Sequence, residues 1–263
     1  MEKYLELEHL VNEMPSISLD EMSAIRLMNR MDTKFLTNVP TLKLLLESAK
    51  DSYFSQENNG HRIAPYATTY FDTPDGHEMF RTHHCGRMPR TKIRVRSYLD
   101  SDQTFLEVKR KNNHGKTKKK RVAVGSLESV IQHREGEAFL TERSGYTWDD
   151  LIPTLSNRFR RITLVNKAKT ERLTIDFDLH FHNQETGRHA EMTDVVIIEL
   201  KRDGRVPSPI IPLIRDLRIK PSGFSKYCIG TVLTHPELPK NRFKKRLVRI
   251  GKVVQKGGAS MNE

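Results

Sequence analysis

Apolar and polar residues alternate strictly along several stretches of this chain, and helical spacing takes over between them. In residues 92–98, Lys92, Arg94 and Arg96 fall on one side of an extended segment, with Ile93 and Val95 on the other. In residues 105–111, Glu107, Lys109 and Lys111 oppose Leu106 and Val108. In residues 172–182 the same period sets Arg172, Thr174, Asp176 and Asp178 against Leu173, Ile175, Phe177, Leu179 and Phe181. In residues 195–201, Glu199 and Lys201 oppose Val196, Ile198 and Leu200. Four predicted strands thus share one design: an apolar face and a face charged with both signs.

Further strands are predicted over 30–36, 67–72, 117–124 and 158–169, and residues 193–202 complete the one around Glu199. Thr73-Pro74-Asp75-Gly76 is a turn signal, and Asn112-Asn113-His114-Gly115 joins two strands as a hairpin loop. Helices are predicted after the capping pattern Ser18-Leu19-Asp20-Glu21 and after Pro40, where Leu42, Leu45, Leu46 and Ala49 fall at helical spacing. Others are expected over 126–150, from Ser208-Pro209 through Arg218, and from Phe224 to Leu233. The pattern predicts an α+β domain spanning 1–234: an antiparallel sheet or barrel of about eight strands, flanked by helices. Residues 235–263, with Arg242, Lys244, Lys245, Arg246, Arg249 and Lys252, read as a flexible basic tail, either solubilising or in weak contact with anionic lipid.

Charge narrows the function. Lys plus Arg number 45 against 33 Asp plus Glu, a formal net charge of +12. Such a surplus points to polyanionic partners (nucleic acid, anionic lipid or phosphorylated small molecules) or simply to solubility. Only 7% of residues are aromatic, and no basic-aromatic run offers a stacking platform for single-stranded nucleic acid. Cys85 and Cys228 form no CxxC pair, which argues against the common structural zinc sites and against a disulfide framework. The eleven His residues show no ligand spacing, His83-His84 coming nearest. With no signal peptide and no apolar run of about 18 residues, a soluble, cytoplasmic protein is expected.

A charged sheet face is either an ordinary solvated face or the lining of a concavity. If the helices cover the apolar faces from outside, the charged faces line a tunnel. Arg and Lys there would hold a triphosphate or longer polyphosphate through charge-assisted hydrogen bonds. Glu107, Asp176, Asp178 and Glu199 on the same faces either pair with these cations or offer hard oxygen ligands to Mg²⁺ or Mn²⁺.

Seven segments, in order, carry a family resemblance. They are Arg30-x-Asp32-x-Lys34-Phe35, Tyr70-Phe71-Asp72-Thr73, Lys92-x-Arg94-x-Arg96-x-Tyr98, Leu106-Glu107-Val108-Lys109, Arg172-x-x-x-Asp176, Ile198-Glu199-Leu200-Lys201 and Phe224-Ser225-Lys226-Tyr227-Cys228. Together they resemble the VTC domain, the polyphosphate polymerase branch of the CYTH-like triphosphate tunnel metalloenzymes. The resemblance implies an antiparallel eight-stranded β-barrel tunnel with a polar interior. It also implies transfer of the ATP γ-phosphate to a growing polyphosphate chain with Mn²⁺ or Mg²⁺. Arg94, Arg96, Lys109, Arg172 and Lys226 would then be catalytic. Lys34, Lys92, Lys201 and Ser225 would bind phosphate, and Glu199, with Glu107, would hold the metal. Arg30 and Asp32 stand where hydrolytic relatives are similar to Glu-x-Glu, which puts the role of Asp32 in doubt. Larger members carry a membrane span, so attachment here would need a membrane-protein partner. A triphosphatase, a nucleotidyl cyclase and a non-catalytic polyanion-binding module are the alternatives; specific nucleic-acid recognition is not expected, since none of its usual motifs appears.

Overall fold

The computed structural model describes residues 4–23, 25, 30–204 and 206–259; the side chains of Ser23, Arg30 and 257–259 lie outside the description. Four elements lead in: α1 (Leu5–Asn12), β1 (Ser16–Ile17), α2 (Leu19–Ser23) and β2 (Arg30–Asn38). Ser18 and Glu21 exchange the reciprocal bonds of a capping box at α2, as expected. Next come α3 (Val39–Ala49), β3 (Tyr53–Gln56), β4 (Ile63–Asp72) and α4 (Glu78–Cys85). The basic core of the sheet follows as β5 (Arg90–Tyr98), β6 (Gln103–Lys111) and β7 (Thr117–Val124). Two short helices, α5 (Leu127–His133) and α6 (Glu137–Ser144), replace the single helical stretch expected over 126–150. The break falls at Arg134 and Gly136, both of positive φ, which an α-helix cannot accommodate. The chain ends with β8 (Ile152–Asn166), β9 (Glu171–Asn183), β10 (His189–Met192), β11 (Val195–Asp203), α7 (Ile210–Asp216), α8 (Lys226–Thr234) and α9 (Lys244–Ala259).

The strands form one eleven-stranded sheet whose main path runs β2-β11-β9-β8-β4-β5-β6-β7, every pair on it antiparallel. Eight strands on that path match the expected number; β1, β3 and β10 are additions at its side. The expected barrel is not closed by hydrogen bonds. Among the described residues no ladder joins β2 to β7, so the sheet ends in two edges. The edge of β2 is instead covered by the chain before α8. Pro221 bridges Phe35, and the Ser222 N–H donates to the Lys34 carbonyl at 2.8 Å.

Two cores follow from the two faces. On the outer face, Ile162, Leu173, Ile175, Phe177, Ile198 and Leu200 pack under α1, α3 and α7 through Leu7, Leu42, Leu46, Ile210 and Ile214. On the inner face one end is apolar. Leu155 stands opposite Tyr70 and shares its face, and Phe181 stands opposite Asn157. There α8 packs with its Gly230 against Phe181 and Leu155. The helices are therefore not all external: α8 plugs the concave side.

Two further expectations change. Strict alternation places Asp178 beside Asp176, but Asp178 adopts a left-handed backbone (φ 55) where the β8–β9 register slips. A bulge of this kind switches the face, and Asp178 leaves the cavity to meet Tyr4, Arg160 and His180. The basic tail is also not wholly unstructured. Lys244–Ala259 is a helix whose Leu247, Ile250 and Val253 pack on the core, with Asn38 donating a side-chain N–H to the Val253 carbonyl at 3.1 Å.

Candidate functional site

The concave face encloses a cavity of about 1130 Å³ whose lining includes Lys34, Lys92, Arg94, Arg96, Lys109, Lys119, Arg161, Arg172, Lys201 and Lys226. Register explains the convergence. Directly opposed residues of antiparallel strands share a face, and the ladder runs Lys34–Glu199–Thr174–Thr163 in one row. Neighbouring rows pair Lys201 with Arg172, Asp176 with Arg161, Arg94 with Glu107, and Lys92 with Lys109. Repeating one alternation on each strand therefore stacks cations around a single volume.

Carboxylates hold these cations in place. Arg161 forks onto Asp176 at 2.6 and 2.9 Å, and Lys226 donates to the same carboxylate while lying 4.1 Å from the Phe159 ring centre. Arg94 Nε reaches Glu107 Oε2 at 2.6 Å, and Lys119 donates to the other oxygen. Lys34 Nζ lies 2.5 Å from Glu199 Oε1, and Lys201 Nζ 3.5 Å from Oε2. Arg96, buried beside the stacked Tyr66 and Phe159 rings, donates to Thr68 Oγ1 at 3.1 Å. Arg172 donates to the Met22 carbonyl at 3.0 Å.

The crowding shows in the acid–base balance. Burial pushes Lys119 down to about 8, against the pull of Glu107. Burial likewise lowers Lys226, Lys92, Lys109 and Lys201. Cationic neighbours add to this for Lys92 and Lys109. Burial works against charge on Glu199 as well, but Lys201 and Lys34 outweigh it and hold its carboxyl at about 2. Cations outnumber carboxylates in the lining. Its lysines gain from an added anion, which would raise their affinity for protons.

The Phe224–Cys228 segment joins this lining to the plug. Ser225 caps α8 by accepting the Cys228 N–H at 3.3 Å and also accepts from Lys92 Nζ at 2.8 Å. The next residues diverge: Lys226 enters the cavity, while Tyr227 donates its hydroxyl to Asp72. Asp72, fully buried, also accepts the N–H groups of Thr73, Met79 and Phe80 at 2.8, 2.8 and 2.9 Å. This ties α8 to the start of α4.

The carboxylates differ in their fit to Mg²⁺ or Mn²⁺. Glu107 is 1% exposed and gives one oxygen to Arg94 and the other to Lys119; it suits a buried counter-charge rather than a metal ligand. The Glu199 side chain is 23% exposed within the cavity and, among the described residues, pairs with Lys34 and Lys201. It fits an ion that takes one or two carboxylates and fills its remaining positions with water and phosphate oxygens.

Of the residues expected at the site, Lys34, Lys92, Arg94, Arg96, Lys109, Arg172, Glu199, Lys201, Ser225 and Lys226 all line this one cavity, and Glu107 lies beneath it. Arg161 and Lys119 line it too, without standing out in the sequence. Alternation signals Lys119, two residues from both Thr117 and Arg121, but Lys118 and Lys120 mask it. Arg161 is masked by Arg158 and Arg160 and by the slip between them.

Among curated proteins, none matches this sequence. One solved structure shares the fold, and a second is similar to a lesser degree. A putative adenylyl cyclase from Hippeastrum, described as having a dominant triphosphatase activity, is 15% identical, with 81% of this chain and 99% of that one covered at a TM-score of 0.50. A putative adenylate cyclase from Bacillus halodurans is 12% identical, with 75% and 96% covered at a TM-score of 0.47. The family model of the VTC domain matches residues 29–235, which hold every one of the cavity cations named above, and the chain belongs to the VTC domain family.

Proposed function

We propose that this protein is a polyphosphate-forming phosphotransferase that moves the γ-phosphoryl group of ATP onto the end of a polyphosphate chain within the cavity. The observation that carries the proposal is the lining itself: cations from seven strands and one helix around one volume, with Glu199 accessible among them. Phosphoryl transfer asks a protein chiefly for positioning and charge stabilisation. Arg94, Arg96, Lys109, Arg172 and Lys226 would meet the charge of the transferring group. Lys34, Lys92, Lys201 and Ser225 would hold the flanking phosphates. A terminal oxygen of the acceptor chain attacks the γ-phosphorus in line, the bond to the β–γ bridging oxygen breaks, and ADP leaves. Mg²⁺ or Mn²⁺ bound through Glu199 would neutralise charge on the phosphates. Glu107 and Asp176 would fix the Arg94, Lys119, Arg161 and Lys226 side chains. No protein nucleophile is required.

Incubation with ATP and Mn²⁺ or Mg²⁺, followed by gel analysis of polymer and assays for free phosphate and cyclic nucleotide, tests the reading. Long polyphosphate with stoichiometric ADP supports it. Free phosphate alone would make the protein a triphosphatase, a cyclic nucleotide would make it a cyclase, and tight polyphosphate binding without ATP consumption would make it a binding module.

A further inference from the structure

We propose that His77, Glu185 and His235 form a second metal site, outside the cavity, that binds a zinc-like divalent cation and staples the C-terminal end of α8. The three come from distant parts of the sequence: the loop before α4, the β9–β10 turn and the residue ending α8. One ligand atom from each lies within 4.8 Å of the other two. None of the three lines the cationic cavity.

Several features support a built site. The His235 Nδ1 atom is buried with no hydrogen-bond partner among the described residues. Leaving a buried polar nitrogen unpaired costs free energy, and coordination through that nitrogen would remove the cost. His77 is itself buried and holds a left-handed backbone (φ 50, ψ 58), a conformation in which a non-glycine residue is strained. Its Nε2 stands 3.5 Å from Glu185 Oε1, too far for a strong hydrogen bond but close to the spacing of two ligands on one ion. The rings of His77 and His235 meet edge-on with centres 5.2 Å apart.

The scaffold is set independently of any ion. Asn183 accepts the N–H groups of Glu185 and Thr186 at 3.0 and 2.9 Å, which shapes the turn. Thr186 Oγ1 then donates to the Thr234 carbonyl at 2.8 Å, docking that turn on the last residue of α8. Two imidazoles and one carboxylate, with a fourth position open to water, suit tetrahedral Zn²⁺; Mg²⁺ prefers oxygen ligands throughout. An ion here would link β9–β10, α4 and α8, and α8 carries Lys226 and Tyr227 at its other end.

Metal-free protein titrated with Zn²⁺ in excess Mg²⁺, and with Co²⁺ while visible absorption is followed, tests the proposal. One equivalent of Zn²⁺ is expected to bind and raise the melting temperature by mass action, and Co²⁺ is expected to give the bands of a tetrahedral site. His235→Ala and Glu185→Gln are each expected to weaken Zn²⁺ binding by about tenfold or more, since even supporting ligands count for that much. Glu185→Gln changes a turn residue and keeps the test valid if His235→Ala fails to fold. Absence of Zn²⁺ binding in the unaltered protein, or binding unchanged by Glu185→Gln, would overturn the proposal.

Discussion

Arg94 and Arg96 lie two residues apart on β5, but their neighbours make them unequal. Arg94 neutralises the buried Glu107, while Arg96, beside a stacked pair of rings, donates to the neutral Thr68 hydroxyl. Replacing Arg94 with Ala leaves the buried Glu107 carboxylate to Lys119 alone, which is expected to lower the melting temperature. Arg96→Ala is expected to spare most of the fold while lowering turnover by about 10²–10³, the loss seen when one preorganised charge donor is removed. Thermal melts beside steady-state rates on the two variants separate these effects. The depressed lysines give a second test. Burial lowers Lys119 to about 8, and a bound triphosphate favours its charged form. At about pH 8, binding of a non-hydrolysable triphosphate should therefore take protons up from solution. Calorimetry in buffers of different ionisation enthalpy reads that uptake, which should shrink in Lys119→Met.

At the scale of elements, α8 and the residues before it decide how the concave side is finished. The helix comes within van der Waals reach of the sheet because Gly230 has no Cβ. One placed there would lie 2.5 Å from Phe181 Cδ1 and 2.7 Å from Leu155 Cδ2. Gly230→Ala is expected to destabilise the protein by about 1–3 kcal/mol through overpacking and to raise KM by displacing Lys226. A melt together with a substrate titration tests both. The α9 helix makes the opposite point. Its charge suggests a tail, but Leu247, Ile250 and Val253 recur at helical spacing and find a core. Removing residues 244–263 is expected to cost about 2–3 kcal/mol, at about 1 kcal/mol for each half-buried side chain. A tail that packed nowhere would leave the melting temperature unchanged.

Across the whole molecule, an open sheet path of eight strands is curved until its two edges flank a cationic volume, with the Pro221–Ser225 segment along the edge of β2. The net charge of +12 is therefore not spread evenly: a large share of it points inward, where burial lowers lysine proton affinity and carboxylates set spacing. A polyanion entering such a volume exchanges its hydration for fixed, convergent donors. That gives the protein a reason to hold so many like charges together, despite the cost of their repulsion.

The period-two pattern by itself determined which side chains share a face on β5, β6 and β11 and on β9 as far as Asp176, and those faces contain most of the site. It did so because side-chain direction in a strand is a local property of the backbone. The pattern was silent wherever direction depends on a neighbour. The slip that turns Asp178 outward arises from the pairing of β8 with β9, and Arg161 enters the cavity through the same pairing. Whether a carboxylate is partly exposed like Glu199 or closed off like Glu107 depends on which cations the adjoining strands bring. Sheet closure, the inward seat of α8 and the meeting of His77, Glu185 and His235 are likewise contacts between distant segments, and only the tertiary structure decided them.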